Sequence, residues 1–328
     1  MKFGVRGSGL GVRGALIGLA LFLAGCGRYA DFSLPALTGG PDVSITFEEQ
    51  PAPVLGRGDA RDALNPSVVH TRDMFYSAYD GHTWRTVAAA LRGSTWQTTG
   101  VVLSPDPRTW EASYIAANGT ALEVGGRVWY WYVAGPEERP SIGLARDWHK
   151  ESRPVLKPGP YMSWDEQAVA DPYVIRIGSE FYMYYLGQDR AAQQRLGVAR
   201  SGDGVRWQKL RANPILEPGV PGSFDENGLG EPAVWQARGY YWMLYTGRGA
   251  GEVRRLGIAR STDGVHWTKS PNVFAGAHDW DSKVICDPTV ELLDESTVAV
   301  WFGGGDIARP DYNLNGQIGY GILRMAAK

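Results

Sequence analysis

Along most of the chain, short apolar and aromatic runs are broken by Gly, Pro, Asn and Asp, a pattern that predicts many short strands joined by tight turns rather than helices. The runs recur in a larger unit. Five segments align: Asp59-x5-Asn65-Pro66, Glu111-x6-Asn118-Gly119, Asp165-x5-Asp171-Pro172, Asp225-x5-Glu231-Pro232 and Asp281-x5-Asp287-Pro288, with second positions 53, 53, 60 and 56 residues apart. Each is followed by β-rich sequence that reads as a hairpin, such as 173–177 with 181–186 around a glycine-containing turn. A third strand follows at 86–90, 142–146, 196–200, 256–260 and 318–322. A turn, an aromatic (Trp96, Trp148, Trp207, Trp267) and a fourth apolar strand complete the first four units, but the fifth stops at Lys328. Its missing strand is supplied by 47–55, FEEQPAPVL, at the other end of the domain. An N-terminal strand that completes the last unit closes a ring and removes free sheet edges. The expected fold is all-β: a five-bladed β-propeller over 45–328, its last blade closed by the N-terminal strand.

The first 26 residues stand outside this pattern. Lys2, Arg6 and Arg13 precede an apolar run from Ala15 to Leu23 that is too short to span a bilayer, and Leu23-Ala24-Gly25-Cys26 resembles the bacterial lipobox. The expectation is a lipoprotein signal peptide over 1–26, with Cys26 lipidated and the protein held at the bacterial cell envelope. Arg28 stands where an aspartate would mark the inner membrane, so the outer membrane is expected. Residues 27–44, rich in Gly, Pro and small side chains, read as a flexible tether.

Composition narrows the picture. Thirteen Trp, 16 Tyr, 43 Gly and 20 Pro suit many strands and tight turns. Three of the 33 basic residues belong to the signal, leaving the remainder acidic against 35 Asp and Glu, which gives no electrostatic footprint for nucleic acid. With Cys26 acylated only Cys286 remains, so no intrachain disulfide forms, and Cys286 is expected to be a buried thiol. The five histidines lack metal-ligand spacing. No metal, no cofactor and a monomer are expected. The turns 201–207 and 261–267, each Ser-x-Asp-Gly-Val-x-Trp, read as structural hairpins with an aromatic anchor.

In a propeller the innermost strands surround a central channel. The second positions of the repeat, just before those strands, should therefore gather Asn65, Asn118, Asp171, Glu231 and Asp287 into a ring. Three carboxylates brought together repel and shift one another's pKa values. Glycosidic bond cleavage uses such a pairing, one carboxylic acid protonating the leaving oxygen and a second carboxylate acting as base or nucleophile. The first acids (Asp165, Asp225, Asp281) read instead as turn caps.

At these residues the chain resembles a known group. The stretches VADPYVIRIGSEFYMYYLG, FDENGLGEPAVWQARGYYWMLYTG and LGIARSTDGVHW are similar to the five-bladed glycoside hydrolases of families 43, 32, 68 and 130. The resemblance implies that Glu231 is the general acid and Asp171 the aspartate that tunes it. The family's base position falls on Asn118, followed by Gly119 where proline is expected, and Asn cannot take a proton from water at neutral pH. Asp287 is then the best candidate for base or nucleophile, with Glu123 and Glu111 as alternatives. Family 130 resemblance also admits phosphate as nucleophile. Some relatives hold a calcium ion in the channel, and the resemblance allows one here. Substrate-binding candidates are Asn65, Asn118, Trp131, Tyr185, Tyr245 and Arg248, with Gln188 and Asp306 following the inner hairpins towards the same mouth, while His278, before the Trp280-Asp281 turn, reads as a loop residue. The expected function is a glycosidase acting on a furanoside or related oligo- or polysaccharide of arabinan, xylan or fructan type. The alternative is a sugar-binding propeller without catalysis, and a sialidase reading lacks its arginine triad and nucleophilic tyrosine.

Overall fold

A computed structural model describes residues 28–309 and 312–328. The signal segment and Cys26 lie outside the described residues. Antiparallel pairing arranges the strands in five four-stranded blades. Blade 1 comprises Asp62–Val69, Asp73–Tyr79, Trp84–Arg92 and Thr95–Leu103. Blade 2 comprises Ile115–Val124, Arg127–Gly135, Ser141–Arg146 and His149–Lys150. Blade 3 comprises Ala168–Ile177, Glu180–Gln188, Gln194–Ser201 and Gln208–Leu210. Blade 4 comprises Gly228–Ala237, Tyr240–Arg248, Arg254–Ser261 and Thr268–Phe274. Blade 5 comprises Val284–Asp294, Thr297–Gly305 and Gln317–Ala327, and its fourth strand is Val43–Glu49. Each innermost strand packs on that of the next blade, and the fifth packs on the first, so the ring is closed.

The closing strand runs antiparallel to Gln317–Ala327 in continuous register from Val43↔Ala327 to Glu49↔Gly321, and Leu55 bridges Ile318 farther along. It starts four residues before the expected 47 because its alternation (Val43, Ile45 buried; Ser44, Thr46 not) begins there. Between blades the interior is apolar and aromatic, as in the cluster of Trp235, Trp242, Ile258, Phe302 and Met325 between blades 4 and 5.

The expected tether differs from the structure. Tyr29–Ala30 pairs in parallel with Lys209–Leu210 of blade 3. The chain then crosses blade 4, with the amides of Leu34 and Leu37 donating to the carbonyls of Asp263 and Thr262 at 2.8 and 2.7 Å. Leu34 is buried among Tyr184, Tyr241 and Val265, and Tyr241 Oη donates to the Pro35 carbonyl at 2.7 Å. The Gly/Pro composition suits a linker, but Phe32, Leu34 and Leu37 give the segment an apolar side, and that side docks. Leu34→Ala is expected to cost about 2 kcal/mol, the low end for a buried leucine because a segment without regular secondary structure can relax into the gap. Chemical denaturation of the variant measures it.

Of the first acids read as turn caps, Asp281 accepts the amide of His278 in its turn, whereas Asp165 and Asp225 instead anchor the blades through side-chain partners. Asp165 receives the Lys209 ammonium and lies 3.2 Å from Tyr185 Oη. Asp225 receives Lys269 at 2.5 Å and Tyr245 Oη at 3.3 Å, and Glu111 receives Lys150 and Tyr132 Oη, both at 2.5 Å. In blade 1 Asp59 is exposed and takes no such place. The buried acid there is Asp62, which accepts the amides of Asn313, Leu314 and Gly316 and ties blade 1 to the blade 5 loop. The Ser-x-Asp-Gly turns are structural, as read. Asp203 Oδ1 accepts the amides of Val205 and Arg206, and Asp263 Oδ1 those of Val265 and His266.

Candidate active site

Asn65, Asn118, Asp171, Glu231 and Asp287 do not precede the inner strands but sit within them, each in left-handed backbone with φ of 49°, 48°, 48°, 48° and 51°. At each the pairing with the second strand breaks: between Leu64 and Ser67, Ala117 and Thr120, Ala170 and Tyr173, Gly230 and Ala233, and Cys286 and Thr289. This β-bulge, repeated five times, re-aims one side chain per blade towards the axis. Asn and Asp tolerate positive φ, whereas Glu231 holds it at a cost of order 1–2 kcal/mol. Proline follows in four blades, and having no N–H it leaves no donor stranded where the ladder is broken. Neighbouring hydroxyls take the freed amides. Asn118 N donates to Ser77 Oγ at 2.8 Å and Asp287 N to Thr246 Oγ1 at 3.2 Å.

The ring residues meet in the channel. Asn65 Nδ2 donates to Asp287 Oδ1 at 3.4 Å, and Asn118 Nδ2 to Asp171 Oδ1 at 3.3 Å. Cys286, a free buried thiol, donates to Asp287 Oδ2 at 3.0 Å. Glu231 interacts with the Thr246 hydroxyl, while its Oε2 is shielded from solvent and has no hydrogen-bond partner among the described residues. Glu231, Asp171, Asn65 and the prolines beyond them line a cavity of about 10 Å³, room for roughly one water.

Charge sets the protonation of this cluster. Burial, then the charges of Asp287 and Asp171, push Glu231 up to about 8, against the pull of Arg254 and Thr246. Burial and the Asp287 charge push Asp171 up to about 7, opposed by Asn118, Arg254 and Arg248. Asp287 is raised by burial, but the Cys286 thiol, Arg254 and Asn65 all favour its ionised form. Donors to a carboxylate lower its proton affinity, so Asp287 is the member most supported as an anion and Glu231 the one that keeps its proton at neutral pH.

Several expected site residues lie elsewhere. Trp131 is wholly buried between blades 2 and 3, its Nε1 donating to the Gly204 carbonyl at 2.9 Å. Tyr185 and Tyr245 are buried on the acids Asp165 and Asp225. These three are packing residues rather than sugar contacts. Glu111 is occupied by Lys150 and Tyr132, and Glu123 pairs with His70, at 2.8 Å, near the far ends of the inner hairpins. Neither reaches the ring. Asp306 accepts from Asn315 at 2.8 Å, and His278 caps the short turn Asp279–Asp281. Arg248 does lie close enough to favour ionised Asp171, held by Glu252 and by Gln194 at 3.1 Å. Sequence reasoning missed Arg254, Thr246, Cys286 and Ser77, which approach the ring from neighbouring strands or from the position beside it. Among the described residues no group of three or more His, Cys, Asp or Glu is placed to hold a metal ion, and no helix is long and apolar enough to cross a membrane.

Comparison with known proteins agrees with the propeller fold. Residues 74–301 match the model of the glycosyl hydrolases family 32 N-terminal domain. The chain is 26% identical over 231 residues to uncharacterized protein Rv1502 of Mycobacterium tuberculosis (strain ATCC 25618 / H37Rv), covering 63% of this chain and 75% of that one. It is 26% identical over 111 residues to the β-1,2-mannobiose phosphorylase of Thermoanaerobacter sp. (strain X514), covering 30% and 36%. A solved structure titled glycoside hydrolase superposes with a TM-score of 0.65 at 16% identity, covering 89% of this chain and 92% of that one.

Proposed function

This chain belongs to the glycosyl hydrolase family 32 N-terminal domain family, and we propose that it cleaves a glycosidic bond with Glu231 as general acid and Asp287 as base or nucleophile. One observation carries the reading: an enclosed glutamic acid holding its proton at neutral pH, with one oxygen unengaged, beside a carboxylate supplied with donors to its anionic form. Glu231 delivers its proton to the leaving oxygen. Asp287 activates water or attacks the anomeric carbon. Asp171, held by Asn118, keeps Glu231 protonated by its nearby charge. Arg254 and Arg248 limit the repulsion among the three, and the reaction needs no cofactor.

The substrate is a furanoside or related glycan, and the lipid anchor on Cys26 holds the enzyme at the envelope, on the outer membrane. The test is release of new reducing ends from a panel of arabinan, xylan and fructan oligosaccharides, run with and without inorganic phosphate. Release without phosphate is expected. Sugar phosphate formed only in its presence would place the chain with its phosphorylase relative. The asparagines at two ring positions favour a second reading, a propeller that binds glycan without cleaving it, and glycan retention with no product over long incubation would establish it.

Activity should follow a bell-shaped pH profile. The acid limb marks protonation of Asp287. The basic limb falls through about pH 8 as Glu231 loses its proton. A rate that rises through pH 9 would remove Glu231 from the acid role.

A further inference from the structure

In blades 2, 3 and 4 the fourth strand places a lysine on the blade's buried acid. Lys150 pairs in register with Ala145, Lys209 with Ala199 and Lys269 with Ala259. Each ammonium meets the acid and one backbone carbonyl: Ser104, Lys157 and Glu217 respectively. Blade 5 takes its fourth strand from the other end of the domain, and there the same register position, opposite Gly321, is Glu49. Its acid is Asp281, fully buried. The tyrosine of the other three blades is replaced by Phe302, opposite Gly319 as Tyr185 is opposite Gly197. Two carboxyl groups therefore face each other where the sister blades pair a carboxylate with an ammonium.

The oxygens are disposed to receive a ligand between them. The amides of two consecutive residues each take one oxygen: His278 N donates to Asp281 Oδ1 at 2.9 Å and Ala277 N to Glu49 Oε2 at 3.2 Å. Asp281 Oδ2 is shielded from solvent and has no hydrogen-bond partner among the described residues. Glu49 lies within hydrogen-bonding reach of the Asp281 carboxyl. We propose that Glu49 and Asp281 form a cation site that takes the place of the lysine ammonium and fastens the closing strand to blade 5. The oxygen-only donors and the partly exposed Glu49 suit Ca²⁺, which accepts irregular shells completed by backbone oxygens and water. With two side-chain ligands the affinity is modest, roughly 10⁻⁴–10⁻³ M.

The test is thermal unfolding of the full chain in EDTA and in 5 mM CaCl₂, for the parent, Glu49→Gln and Glu49→Lys, with calorimetric titration of CaCl₂ into each. Calcium is expected to raise the parent's melting temperature by about 2–4 °C and to leave both variants unmoved. Glu49→Lys, which supplies the sister blades' ammonium, should melt in EDTA at or above the parent in calcium. Should Glu49→Lys fail to fold, the Glu49→Gln titration decides alone. A parent indifferent to calcium between pH 6 and 9 would overturn the proposal and leave a shared proton between the two carboxyls. Undiminished calcium binding by Glu49→Gln would overturn it equally, since the ion would then sit elsewhere.

Discussion

Glu231→Gln is expected to lower kcat by about 10²–10⁴-fold, the usual contribution of a positioned general acid, while leaving the protein at least as stable as the parent. Both effects follow from one fact. Burial and two neighbouring carboxylates keep the Glu231 proton on up to about pH 8, so the neutral amide reproduces the shape and charge of the working form but has no proton to give. The sign of the stability effect is fixed by linkage. A carboxyl raised from its usual 4.5 to about 8 favours folding below 4.5, and that contribution is lost as pH rises towards 8. Glutamine does not titrate, so the variant's advantage grows between these limits. Activated aryl furanosides, whose leaving groups need little protonation, should lose far less rate than unactivated oligosaccharides. An equal loss on both, or a variant that unfolds more easily than the parent at pH 8, would mean that Glu231 has another task.

The repeat made the fold legible. Four-strand units with a phase-matched remainder at each end leave little but a closed ring, and the structure closes it with the strand that the sequence pattern assigns. The site was legible only in part. Asp171, Glu231 and Asp287 stood out because three of the five blades carry a carboxylate where the other two carry asparagine. Their true placement, inside the strands at a bulge, is hidden by the alternation rule, which assumes unbroken pairing. Tyr185 and Tyr245 misled for a reason their register reveals. Tyrosine recurs at the same place in blades 2, 3 and 4, since each buried acid there needs a hydroxyl. Side chains repeated alike around a ring serve the blade, whereas chemistry at the axis needs them to differ. Arg254 was out of reach of any pattern within one blade. It starts the third strand of blade 4, where its Cα pairs with Val284 of blade 5, and its charge reaches all three carboxylates from there.

Asp287→Asn separates the two catalytic carboxylates. Loss of the base or nucleophile should lower kcat by about 10²–10⁴-fold, comparable with Glu231→Gln, but the pH profile should change in a different way. The Asp287 charge is the largest electrostatic influence raising Glu231, second only to burial. Without it Glu231 gives up its proton more readily, and the basic limb of the residual activity moves to lower pH. Asp171, also raised by Asp287, moves in the same direction. Exogenous azide or formate should restore part of the rate if Asp287 attacks the anomeric carbon, because a small anion can enter the space and act in its stead. Rescue with a glycosyl azide or formate product assigns the nucleophile; a shifted limb without rescue assigns the base. A variant with parental kcat and an unmoved basic limb would remove Asp287 from the chemistry altogether, and the base would then have to be Asp171, since among the described residues no other carboxylate is placed in the ring.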